Sequence, residues 1–148
     1  MSNDTNHFNL ERFIPPQDEA MSAVAEELRA GHKQTHWMWF VFPQLRGLGR
    51  SRTAEFFAIK DKVEAFAYLQ HTTLGVRLLQ HTSLVNRVQE HSAKDIFGHV
   101  DSLKFRSCMT LFASLTDEDS LFQQALDKYF EGEADEKTLK LLQQHESG

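Results

Sequence analysis

The chain has 148 residues, 41% hydrophobic and 25% charged, which suits one folded domain spanning 1–148 and excludes a disordered polymer. Its formal net charge of −5 lacks the overall positive field that nonspecific nucleic-acid binding needs, so only a local patch of arginines near position 50 is left for such a role. A lone cysteine, Cys108, excludes an internal disulfide and every multi-cysteine zinc motif.

Glycine and proline are scarce and no alternating pattern runs far, which predicts an all-α fold of about eight helices. The polar opening Met-Ser-Asn-Asp-Thr-Asn has no apolar segment of a signal peptide, so the cytoplasm is the expected compartment. Residues 8–14 suit a short helix stopped by Pro15-Pro16, and residues 18–30 a second one with Met21, Val24, Ala25 and Leu28 on one face. Gly31 is placed to cap its C-terminus. Residues 36–42 read His-Trp-Met-Trp-Phe-Val-Phe, apolar on every side and therefore buried. Periodicity alone does not separate a strand from a helix there. With Thr35 available as an N-cap and helices on both sides, a buried aromatic helix of ~10 Å ended by Pro43 is expected.

Ser51 should cap a helix over 51–59, followed by helices over 62–69 and 74–91. Leu74, Leu78, Leu84, Val85 and Val88 are core candidates. Ser92 starts a short turn that stops at Gly98. Asp101 then caps a helix to about residue 115, Asp119 or Ser120 starts one through 130, Gly132 breaks it, and 135–144 closes the chain. The echo of Leu69-Gln-His-Thr-Thr-Leu in Leu79-Gln-His-Thr-Ser-Leu is too closely spaced for a repeat architecture. The longest apolar run is far below the ~20 residues that a membrane span needs, so no membrane partner is expected.

Three features carry chemistry. The turn Gly47-Leu48-Gly49-Arg50-Ser51 leads into a helix start, where free N–H groups and the helix dipole attract anions. Arg46, Arg50 and Arg52 add bidentate donors for phosphate or carboxylate. The turn lacks the lysine and the longer glycine loop of a phosphate-binding motif, so a plain connecting loop with solvated arginines stands beside that reading. Lys104 falls inside the apolar arc of its helix, next to a stripe of Ser107, Thr110 and Ser114. It either snorkels, pairs with a carboxylate, or reaches into a cavity. His36 stands at the start of the aromatic run as a structural or ligand-contacting group. Of the eight histidines only His32 and His36 have i,i+4 spacing, without a zincin glutamate between them, so neither metal nor cofactor is expected. Cys108 lies mid-arc and reads as buried and inert, and the acidic residues after 117 as solvated helix ends.

Together His36-Trp-Met-Trp-Phe-Val-Phe-Pro-Gln44, the 47–51 turn, Ile96-Phe-Gly98, and Leu103-Lys104 leading to Ser107-Cys-Met-Thr-Leu-Phe112 resemble the domain-of-unknown-function family 1810. Phe8-Asn-Leu-Glu-Arg-Phe13 and Glu27-Leu-Arg-Ala-Gly31 fit as well. The resemblance covers nearly the whole chain and implies a small all-helical fold with no established activity. Carried over by position, its polar set is His36, Gln44, Ser51, Asp101, Lys104, Ser107 and Thr110. Cys108 stands where a second serine is expected, and Pro15-Pro16 where a helix-compatible pair is more usual. The calpastatin label that some members carry does not transfer, because such inhibitors are largely disordered and this chain has the composition of a folded core.

These readings converge on a pocket for a small anionic ligand, a nucleotide or phosphorylated metabolite. Arg46, Gly47, Gly49, Arg50, Ser51 and Lys104 would hold the anion, with Gln44, Ser107 and Thr110 lining the site and Trp37 or Trp39 as its wall. His36, Asp101 and Lys104 are the candidate catalytic groups, and hydrolase or glycohydrolase chemistry is the reaction class if the protein is an enzyme. The rival reading is a non-catalytic interaction module whose aromatic segment is only core.

Overall fold

The computed structural model describes residues 8–147; the polar first six residues fall outside it. A 3-10 turn at Leu10–Phe13 runs directly into helix α1, Ile14–Ala30. The expected stop at Pro15-Pro16 is instead a start. Both prolines sit in the first turn of α1, where backbone N–H groups have no intrahelical acceptor to lose. Gly31 closes α1 as expected, at φ 73° with its N–H on the Glu27 and Leu28 carbonyls.

The aromatic segment forms one helical turn, α2 (Met38–Val41), about 6 Å long. It is shorter than expected because Thr35 does not cap it. The Thr35 amide and hydroxyl both turn back onto Glu27, so helix begins only after Trp37. Phe42, ahead of Pro43, leaves the helical region at ψ 72°. Helix α3 (Arg52–Phe56) has the predicted cap, with the Ser51 hydroxyl accepting the Ala54 N–H at 3.0 Å. An isolated parallel bridge joins Leu45 to Ile59 across the base of this excursion. The Arg46 N–H reaches the Ile59 carbonyl at 2.7 Å, and the Ile59 N–H reaches that of Gln44 at 2.9 Å.

Helix α4 (Lys62–Gln70) is capped by Asp61, and α5 (Leu74–Arg87) stops before the expected residue 91 because Val88 turns extended. Helix α6 (Ala93–Phe97) starts with a Ser92–Asp95 capping box. Helix α7 (His99–Ala113) begins at Gly98, so Asp101 lies in its first turn and does not cap it. Ser120 caps α8 (Leu121–Phe130), and α9 (Glu136–Ser147) ends the fold. The described residues thus contain nine α-helices and no strand, and none of these helices is long and apolar enough to cross a membrane.

Helix α7 is the axis of the core and packs against α4, α6, α8 and α9. Its Phe105, Cys108, Met109, Leu111 and Phe112 are fully buried. Phe42 meets Phe97 and Phe105 edge-on, with centroids at 6.0 and 5.1 Å, which draws the aromatic segment into that core. Cys108 is buried as expected, and burial pushes its thiol well up.

Candidate functional site

Glu27 organises the approach to the aromatic segment. It lies on the α1 face that carries Val24 and Leu28, and is itself buried. Its carboxylate accepts the Gln34 and Thr35 amides at 2.7 and 3.0 Å, the Thr35 hydroxyl at 2.7 Å and the Trp37 indole N–H at 3.0 Å. Burial pushes its pKa up, but the bonds from Thr35, Gln34 and Trp37 outweigh it and hold the group at about 2. Trp37 is thereby locked at 1% exposure. His36, one residue earlier, is exposed and does not enter the buried segment.

The next layer is a charged ladder on the two indoles. Asp101 binds Lys33 at 2.9 Å through one carboxylate oxygen, and Lys104 stands 3.9 Å from the other. The Lys33 ammonium lies 5.1 Å from the Trp37 ring centroid, and that of Lys104 lies 5.3 Å from Trp39. Lys104 therefore pairs with a carboxylate and stacks on a tryptophan. The cleft it shares with Trp39, Gln44 and Ala54 has a volume of about 10 Å³, space for no more than a water molecule.

Gly49 explains the closure. A Cβ there would stand 2.5 Å from the Ala54 Cβ and 3.3 Å from the Gln44 amide nitrogen, so the 47–51 turn is packed onto α3. Gly49→Ala is expected to destabilise the fold by about 1–3 kcal/mol through overpacking. Ala54→Gly in the same chain should recover part of that loss despite its own helix penalty. Urea unfolding of the single and double variants checks this, and an unaffected single variant would contradict the packing.

The hydroxyl stripe on α7 is engaged by its own helix. The Ser107 hydroxyl donates to the Leu103 carbonyl at 3.1 Å and that of Thr110 to the Arg106 carbonyl at 2.8 Å, both within their own helix. Thr110 also accepts the Asp135 N–H at 2.8 Å, tying α7 to the entry of α9. Ser114 bonds the Leu111 carbonyl at 2.6 Å.

Arg46 lies on the other side of the Leu45–Ile59 bridge. It borders two clefts, of about 590 and 390 Å³, and shares both with Lys60. Gly47 follows it toward α9, where a Cβ would come within 3.4 Å of Leu141. Arg50 and Ser51 are exposed, and the Ser51 hydroxyl is already used as a cap. Of the carboxylates around these clefts, Glu55 is exposed, and Glu64 and Asp61 have partners. Glu64 holds Arg12 at 2.9 Å and the Lys60 N–H at 2.7 Å, while Asp61 accepts the Glu64 N–H at 2.9 Å. Arg12 is spent as well, with further bonds to the carbonyls of Phe8, Asn9, Phe56 and Ala58. Arg46 and Lys60 are exposed, and among the described residues neither forms an ion pair.

A family model described as protein of unknown function (DUF1810) matches residues 7–142. The chain belongs to this family. It is similar to the conserved hypothetical protein Rv1873 from Mycobacterium tuberculosis, whose crystal structure was determined at 1.38 Å. The two are 52% identical with a TM-score of 0.90, over 92% of this chain and 97% of that one. No curated protein matches the chain.

In this DUF1810 chain the polar set divides in space. Trp37, Trp39, Gln44, Asp101 and Lys104 come together, joined by Glu27 and Lys33, which sequence reasoning missed. Arg46 and Gly47 face the other way, with Lys60 as an unforeseen companion. Ser107 bonds within α7, and Thr110 ties α7 to the entry of α9. A carboxylate on the Val24/Leu28 face of α1 was the available signal for Glu27. Nothing local signals Lys60, because its position beside Arg46 comes from the bridge.

Proposed function

We propose that this DUF1810 protein binds a small anionic ligand, a nucleotide or another phosphorylated metabolite, in the groove bordered by Arg46 and Lys60. The observation that carries the reading is this cation pair, held beside each other by the bridge at Leu45 and Ile59 and, among the described residues, in no ion pair with the carboxylates of Glu55, Asp61 and Glu64 that also line the clefts. Two guanidinium or ammonium groups free of intramolecular partners, in a chain of net charge −5, form a local positive field suited to phosphate. The adjoining cleft of about 590 Å³ lies in the range of small-ligand sites, and Val63 and Leu142 supply apolar wall. Binding without turnover is the reading taken, since His36, Asp101 and Lys104 are not among the groove's lining residues.

Thermal melting with inorganic phosphate, ADP and ADP-ribose tests it. At a hundredfold excess over Kd a ligand stabilises by about 2.7 kcal/mol, a rise in Tm on the order of 5–10 °C. Arg46→Gln/Lys60→Gln should abolish the rise, and Lys104→Gln should keep it. No rise with any of the three into the millimolar range would contradict the groove and favour the interaction module.

A further inference from the structure

A second groove runs between α1 and α5, far from the Arg46 cleft in both sequence and lining, with a volume of about 540 Å³. The two helices run in the same direction. Arg77 of α5 pairs with Asp18 near the start of α1 at 2.7 Å, and the last turns bring Arg29 and Arg87 to the same groove. Met21, Ala25 and Arg29 recur every four residues along α1, so they form one wall. Leu84 and Arg87 belong to the facing wall from α5.

Its charged groups are of one sign, since Gln80, His81 and Ser83 complete the polar lining beside Arg29 and Arg87. The chain carries 21 acidic residues, yet no carboxylate lines this groove among the described residues. Arg29 and Arg87 are exposed, and no ion pair among the described residues includes either. His81 is 3% exposed, borders the groove, and makes no hydrogen bond among the described residues. Burial, helped by the charge of Arg77, pushes its pKa down to about 4. The ring is therefore neutral at neutral pH and presents an N–H donor and a bare nitrogen at once. Among the described residues the sealed polar side-chain atoms without a partner are Thr82 Oγ1 and Asn86 Oδ1, so the His81 nitrogens keep contact with solvent and are open to a ligand.

We propose that this groove binds an amphiphilic carboxylate, with an apolar body along Met21, Ala25 and Leu84, passing the His81 ring, and its head between Arg29 and Arg87. Planar guanidinium groups match a carboxylate two bonds at a time, and the methionine wall adapts to an irregular chain. The site is independent of the Arg46 groove.

NMR titration of the full chain with octanoate, octylamine and acetate tests this. Octanoate should saturate, moving α1 and α5 amides and the His81 imidazole resonances. Octylamine and acetate should each bind at least about tenfold more weakly, because one carries the opposite charge and the other lacks the apolar body. Arg29→Gln/Arg87→Gln changes only exposed side chains and should weaken octanoate by at least about tenfold, while Arg46→Gln/Lys60→Gln leaves it unchanged. Absence of saturation into the millimolar range, equal binding of octylamine, or full affinity in the Arg29/Arg87 variant would overturn the proposal. In those cases the two arginines only complement their helix ends.

Discussion

Glu27→Ala should destabilise the protein by about 3–4 kcal/mol, because one truncation leaves four donors without their acceptor. The Trp37 indole N–H is the worst placed of these, since its ring is almost wholly buried and water does not replace the carboxylate. Glu27→Gln keeps an acceptor oxygen but turns an amide N–H₂ toward other donors, so it should retain only part of the lost stability. The same site gives a pH dependence of defined sign. The folded-state pKa of about 2 lies below the ordinary 4.5, so the ionised group stabilises the fold above 4.5 and loses that contribution as pH falls toward 2. Solvent close to the surface loop screens part of it, leaving about 1–2 kcal/mol to be lost over that window. Urea unfolding of both proteins at neutral pH and near pH 3 checks this, with tryptophan fluorescence as the probe. The wild type should lose this increment on acidification and the alanine variant should not. A neutral-pH loss below about 1 kcal/mol would show that the 34–37 loop holds without its clamp.

The second large effect lies at Arg12. Its guanidinium reaches five acceptors and joins the 8–13 segment to the end of α3 and to Glu64. Both side chains of the pair are below a tenth exposed. Arg12→Ala leaves a buried carboxylate whose remaining bond is the Lys60 N–H, and a loss of about 3–5 kcal/mol is expected. Arg12→Lys keeps the charge but not the planar fork, so it should remain clearly destabilised. Adding Glu64→Gln to Arg12→Ala removes the stranded charge and should recover a measurable part. Chemical unfolding of the four members of this cycle gives the coupling directly. Equal stability of Arg12→Ala and the wild type would contradict the bond network.

What was legible in the sequence follows from the range of the forces involved. Ser51, Ser92, Ser120 and Gly31 act within a turn of their own positions, and each ends a helix where its chemistry says. Pro15-Pro16 misled because a proline pair is compatible with both a stop and a first turn. Asp101 misled because Gly98 had already begun the helix, which freed the carboxylate for Lys33 and Lys104. The candidate site was legible only in halves. Helical spacing put Lys104 inside the apolar arc of its helix, and the structure brings it onto Trp39. The division of Arg46 from Lys104 is set by a pairing fourteen residues apart in the chain, between Leu45 and Ile59, and no local pattern encodes it. The Ser107–Thr110 stripe shows the same limit, since spacing gives a shared face but not the neighbour that covers it.

The most direct test of the central claim is a titration of isotope-labelled protein with ADP, following the Arg46 side-chain N–H, the Ile59 and Lys60 amides and the two indole N–H signals. Saturable shifts are expected at Arg46, Ile59 and Lys60, with the Trp37 and Trp39 indoles unmoved. Shifts confined to the Trp39 indole and Lys104, or none at all, would contradict it.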